Sequence, residues 1–159
     1  MNNIIAETDI LIHAPIEKVW QVVTDVNTYP EWNPFVVRAE TNGSTVMRKT
    51  KMKFYIVWGN GNTENSNEVV SDAKAPHKDV EGVLRAHWSY RFNGWLHYFG
   101  LVRAIRYQWL HETEPGKTVY RTREEFKGLL KNFVPLALVQ DGFERQAKAL
   151  KNFTEQNGN

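Results

Sequence analysis

The sequence predicts an α+β fold in which one curled antiparallel sheet wraps a single long helix. Three observations lead there. Apolar residues repeat with a period of two over most of 35–127, they repeat at helical spacing after Gly128, and two short helical stretches separate a first strand from the rest.

Taken in order, Ile4 to His13 is rich in β-branched residues, with Thr8, Ile10 and Ile12 on one parity, and reads as a strand with one buried face. Ala14-Pro15 ends it, and Pro15 suits the first turn of a helix whose apolar stripe is Ile16, Val19, Trp20 and Val23. After Asp25 to Asn27, the stretch Thr28-Tyr29-Pro30-Glu31 has the form of a capping box, so a very short second helix carries Trp32. Asn33-Pro34 stops it, because the residue before proline is pushed out of the helical region.

Phe35, Val37 and Ala39 then alternate with Val36, Arg38 and Glu40, and Asn42-Gly43 supplies a tight hairpin turn. The returning strand places Thr50, Met52, Phe54, Ile56 and Trp58 on one face and ends at Gly59-Asn60-Gly61-Asn62. A more polar strand runs to Ala75-Pro76. Next, Val80, Gly82, Leu84, Ala86, Trp88, Tyr90 and Phe92 alternate with mostly polar neighbours, the pattern of an antiparallel strand with one wet face. An aromatic connection, Trp95 to Gly100, leads to two last strands, about Leu101 to Glu112 and Lys117 to Lys127, joined by Glu114-Pro115-Gly116. Ile105, Tyr107 and Trp109 are expected inward, because the opposite face would hold Arg106, Gln108 and Glu112. In the last strand Tyr120, Thr122, Glu124 and Phe126 share a face.

From Leu129 through Phe133, Leu136, Phe143, Ala147, Leu150 and Phe153, helical spacing predicts one long terminal helix, with Pro135 kinking it or delimiting its first turn and Gly142 weakening it. Residues 1–159 are expected to form a single domain. A chain of this length can bury roughly 70% of its unfolded surface.

Composition excludes several functions. With no cysteine there is no disulfide framework, thiolate metal site or cysteine nucleophile. The start lacks a signal-peptide pattern, and no run of about 18 apolar residues occurs, so a cytoplasmic protein without integral membrane association is expected. Lys plus Arg total 20 against 18 Asp plus Glu, a net charge of +2. The basic stretch Arg48 to Lys53 alternates with Thr50 and Met52 as a solvated strand face does, so no nucleic-acid partner is expected. The five histidines include no His-x-x-x-His pair, which argues against a metal, and no cofactor fingerprint occurs. The six Trp, six Tyr and eight Phe are the unusual feature: so much ring surface must be packed or presented to something.

The sequence resembles the START-like or Bet v 1-like superfamily with the helix-grip fold, in particular its polyketide cyclase/dehydrase-type branch. The resemblance rests on Ile10 to Trp20 with Asp25, Tyr29-Pro30 and Trp32-Asn33-Pro34-Phe35; on the alternating Thr118, Tyr120, Thr122, Glu124, Phe126 and Gly128; and on the terminal helix from Gly142-Phe143 to Phe153. It implies a curved seven-stranded antiparallel sheet around the terminal helix, with two short helices between strands one and two. It also implies a family of lipid and hormone binders, aromatase/cyclases and chaperone-associated domains.

A curved sheet gripping one helix commonly encloses an apolar cavity. Parity then nominates Phe35, Phe54, Trp58, Trp88, Tyr90, Phe92, Tyr107, Trp109, Tyr120 and Phe143 as lining, with Trp32 and the Trp95 to Phe99 segment at the mouth. The alternative is that these rings fill the core. Glu124 is the ionisable residue of most interest: on the concave face, desolvation would raise its pKa and suit it to general acid or base work, with Tyr107 and His111 as polar helpers. The alternative is a structural carboxylate paired with an inward arginine, Arg106 or Arg48. The expected function is binding of a hydrophobic or aromatic, lipid- or polyketide-like small molecule by a monomer or weak homodimer. A cyclase/dehydratase and a chaperone-associated interaction domain are the alternatives.

Overall fold

Alternating apolar and polar residues build a single antiparallel sheet in the computed structural model, which describes residues 3–43 and 45–156. Strand β1 (Ile4–Ile12) is followed by α1 (Ile16–Thr24), a 3-10 turn (Val26–Thr28) and α2 (Tyr29–Trp32). Strands β2 (Val36–Thr41), β3 (Lys51–Val57), β4 (Thr63–Lys78) and β5 (Leu84–Phe92) lead to α3 (Trp95–Tyr98). Then come β6 (Arg103–Glu114), β7 (Lys117–Lys127), a second 3-10 turn (Lys131–Phe133) and α4 (Leu136–Gln156). The sheet order is β1-β7-β6-β5-β4-β3-β2, so the first strand closes against the last and β2 lies at the far edge. With α4 over the concave face this is the helix-grip arrangement. Its core includes Ile12, Ile16, Val19, Val23, Trp88, Tyr120, Phe143 and Leu150.

Several local expectations are corrected. Thr28 forms no capping box; its residue is already helical, and its hydroxyl donates to the carbonyl of Asp25 at 2.8 Å. Asn42-Gly43 is not a two-residue hairpin turn. The described residues between β2 and β3 belong to a longer loop, because Val46 and Thr50 tuck back into the core and Asn42 bonds Lys51 through both its backbone N–H and its side-chain oxygen. Val80 and Gly82 precede the strand: Asp79 Oδ1 accepts the N–H groups of Glu81 and Val83 at 2.9 Å each, closing a turn that leaves Val80 exposed. Pro135 opens α4, its carbonyl accepting from Leu138 and Val139, so Leu129 and Phe133 lie outside the helix and are exposed.

The largest correction concerns β6. Its inward residues are Ala104, Arg106, Gln108 and Leu110, while Ile105, Tyr107 and Trp109 lie on the outer face, where the Tyr107 and Trp109 rings stack at 5.4 Å and 4°. A regular hairpin across Pro115-Gly116, continuing the pair Glu114 with Lys117, would set Tyr107 opposite Glu124. The irregularity between Glu112 and Glu114 shifts the register by one, and Arg106 faces Glu124 instead. A one-residue shift sends every side chain beyond it to the other face.

Two features seat α4. Arg145 donates to the carbonyls of Pro34 (2.9 Å) and Val57 (3.0 Å), tying the helix to β2 and β3 at their ends. At Gly142 a Cβ would lie 2.5 Å from the Phe35 ring, which is itself held by Trp58 and Phe143. Gly142→Ala is therefore expected to lower stability: overpacking costs about 1–3 kcal/mol and exceeds the gain of up to about 1 kcal/mol in helix propensity. Urea denaturation checks this; a stabilised variant would mean the ring is free to move.

Candidate functional site

The register of the central strands brings three polar side chains into one cross-strand row. Tyr90 on β5 pairs with Arg106 on β6, which pairs with Glu124 on β7, all on the concave face. Glu68 on β4 pairs with Phe92 one row further out. At this level the sheet and α4 separate, leaving a cavity of about 370 Å³. Tyr90, Arg106, Glu124, Glu68, Ala104 and Phe126 line it from the sheet, Val139 and Phe143 from the helix. Its mouth runs past Leu96, Val102 and the stretch from Phe133 to Pro135. The two rim segments are joined by the Leu130 N–H donating to Leu101 O at 2.8 Å. Gly128, at φ 109°, permits that approach, since a Cβ there would lie 2.5 Å from the same oxygen.

Arg106 is only 3% exposed. Its Nε donates to Thr122 Oγ1 at 2.8 Å, Nη1 to the Tyr90 hydroxyl at 3.1 Å and Nη2 to Gln146 Oε1 at 3.1 Å, and its guanidinium lies 3.9 Å from the centre of the Phe143 ring. Neutral acceptors and a ring face thus hold a buried cation. Among the described residues, no carboxylate lies within ion-pair distance of it. Glu124 is enclosed by protein yet keeps surface on the cavity, and accepts no hydrogen bond from any described residue. Burial raises its pKa to about 7, against the opposing pull of Arg106. Glu68 is pushed to about 8, by burial first and by Glu124 too, while the Ser66 hydroxyl that donates to it and Arg106 pull the other way. Both carboxyls are thus kept protonated to higher pH than ordinary glutamates, so the cavity holds less negative charge against Arg106 than two free carboxylates would.

Of the residues nominated from sequence, Phe35, Phe54, Trp58, Tyr90, Phe92, Phe143 and Glu124 line this cavity. Trp88 and Tyr120 face inward but are packed in the core, Tyr120 donating to Gln108 at 2.6 Å. Trp32 is core rather than mouth, packed between Tyr29 and Phe153. Trp95 is exposed on α3, beside the lining residue Leu96. Tyr107, Trp109 and His111 are displaced to the outer face by the β6 register shift, so neither Tyr107 nor His111 can assist Glu124. Glu68 and Ser66 had no part in the expectation; their parity with buried Val70 on β4 was the signal that placed them inside. No described helix is long and apolar enough to cross a membrane.

This architecture is the Bet v 1-like helix-grip fold. Residues 3–155 match the model of the polyketide cyclase/dehydrase and lipid transport family, and the chain belongs to that family. Its fold is similar to that of a hypothetical protein from Helicobacter pylori, at 14% identity and TM-score 0.70, covering 95% of this chain and 88% of that one. It is similar to norcoclaurine synthase from Thalictrum flavum, solved with dopamine and hydroxybenzaldehyde, at 13% identity and TM-score 0.66, covering 99% and 90%. A START superfamily protein from Mycobacterium smegmatis matches at 15% identity and TM-score 0.66, covering 98% and 99%. No curated protein matches the sequence.

Proposed function

We propose that the chain acts as a single helix-grip domain that binds a hydrophobic or aromatic small molecule between sheet and α4. The observation that carries this reading is the cavity of about 370 Å³, with aromatic walls and a polar row, Tyr90-Arg106-Glu124, at its inner end. A site of this kind gains affinity from apolar burial and orientation from a few convergent polar groups. Family membership supports it, since lipid transport is among the family's described roles. The neutral dye N-phenyl-1-naphthylamine is expected to bind with micromolar affinity and brightened emission. Trp58→Ala, which removes a wall of the cavity, should weaken binding several-fold, and Ala104→Trp, which fills it, should abolish binding. Dye binding undiminished in a folded Ala104→Trp protein would place the ligand elsewhere.

The Glu124 carboxyl, poised near neutrality in the cavity that the Tyr90 hydroxyl also lines, favours a second reading, proton transfer of cyclase or dehydratase type. In that reading Glu124 moves the proton, and Tyr90 and Glu68 take the places that sequence gave to Tyr107 and His111. Loss of turnover in Glu124→Gln with dye binding retained distinguishes it from simple binding.

A further inference from the structure

The carboxyl groups facing the cavity outnumber its cations. Three carboxyl groups line it, Glu64 near the mouth and Glu68 and Glu124 inside, against the single guanidinium of Arg106. This is not a property of the whole chain, whose net charge is +2. The other arginine near this end, Arg145, is engaged by Asp141 and the carbonyls of Pro34 and Val57. The side chains that α4 contributes here, Val139, Phe143 and Gln146, are uncharged, and β5 contributes the Tyr90 phenol. Glu124 faces the cavity with no hydrogen-bond partner among the described residues. Aromatic faces from Phe35, Phe54, Trp58 and Phe92 surround the same space, and such faces attract cations.

We propose, building on the binding function above, that the ligand's apolar body carries one positively charged amine or ammonium group, which sits between Glu68 and Glu124. An apolar cavity without a ligand keeps one carboxyl protonated; a ligand cation replaces that proton, which leaves to the solvent. The carboxyl O–H bond is broken, no other bond changes, and total charge is conserved.

The test uses two probes of one shape, benzyltrimethylammonium and its neutral carbon isostere neopentylbenzene, as competitors for N-phenyl-1-naphthylamine. Displacing one proton from a group titrating near 8 makes ammonium affinity rise at least about tenfold from pH 6 to pH 8, whereas the isostere stays flat. Calorimetry in buffers of different ionisation heat should register a released proton for the ammonium alone. Glu68→Gln should flatten the pH dependence and Glu124→Gln should weaken ammonium binding, with retained competition by the isostere certifying the fold of each. Equal competition by the two probes at pH 8, or pH-independent ammonium binding, overturns the charge assignment and leaves the cavity reading standing. Failure of the dye itself to bind removes both.

Discussion

Arg106→Met should lower the free energy of unfolding at pH 8 by about 3–5 kcal/mol, the cost typical of removing one member of a buried charged cluster. Methionine fills much of the volume under Phe143 but strands what the guanidinium served. Tyr90, Thr122 and Gln146 each lose a donor, and Glu68 and Glu124 lose the one cation that lowers their pKa values. The deficit should depend on pH. At pH 5 both carboxyls are protonated in the folded protein and need no cation, so only the lost hydrogen bonds are felt. At pH 8 the variant must either bury uncompensated carboxylate or take up protons to fold. Urea titrations at the two pH values measure the difference. An equal loss at both would show that Arg106 acts through packing and hydrogen bonds alone. Adding Glu68→Gln and Glu124→Gln to the methionine variant should recover part of the stability at pH 8 and little at pH 5.

That cluster marks where the sequence stopped being legible. Alternation is visible wherever one face of a strand is wet and the other dry, which is why β5 and β7 could be oriented and why Tyr90, Phe92 and Glu124 were placed inward correctly. Helical spacing and Pro135 likewise marked α4, and the order of elements left little choice of topology. β6 failed because its inward face is the more polar one. Arg106 and Gln108 are buried on partners from other elements, Tyr90, Tyr120 and Gln146, and that compensation cannot be seen from β6 alone. The assumption that apolar residues face the core then selected Tyr107 and Trp109. The bulge between Glu112 and Glu114 has no mark in composition, yet it decides which residues meet the ligand. A cross-strand argument was available in part: an inward Glu124 with no cation beside it is costly, and Arg106 was the nearest arginine able to answer it. Glu68 was hidden for a different reason. β4 is polar on both parities near its start, so an edge-like appearance concealed a residue that is only 9% exposed.

Glu68→Gln should stabilise the protein at pH 9 and leave it almost unchanged at pH 4. A carboxyl whose folded pKa is raised from 4.5 to about 8 behaves opposite to the usual salt-bridged acid. Below pH 4 both folded and unfolded states hold the proton and the group contributes no pH dependence. From about 4.5 upward the unfolded chain releases the proton while the folded protein keeps it, so folding requires proton uptake and stability declines with each unit of pH. Above about 8 the folded state has released its proton too, and the decline from this group stops. Across the whole window the loss attributable to Glu68 is of order 3–5 kcal/mol, taking about 1.4 kcal/mol per unit. Glutamine keeps the shape, still accepts from the Ser66 hydroxyl and never ionises, so it removes the slope along with the cost. Glu124, titrating near 7, retains its own decline in the variant, which ends about a unit earlier. Unfolding midpoints of the two proteins should therefore coincide at pH 4, separate progressively between pH 5 and pH 8, and run parallel above that. Parallel curves over the entire range would mean that Glu68 is ionised in the folded protein throughout, leaving the cavity with more negative charge than Arg106 can balance. A protein carrying that imbalance without a ligand would tolerate it only by hydrating the cavity, and the neutral dye would then bind weakly at every pH.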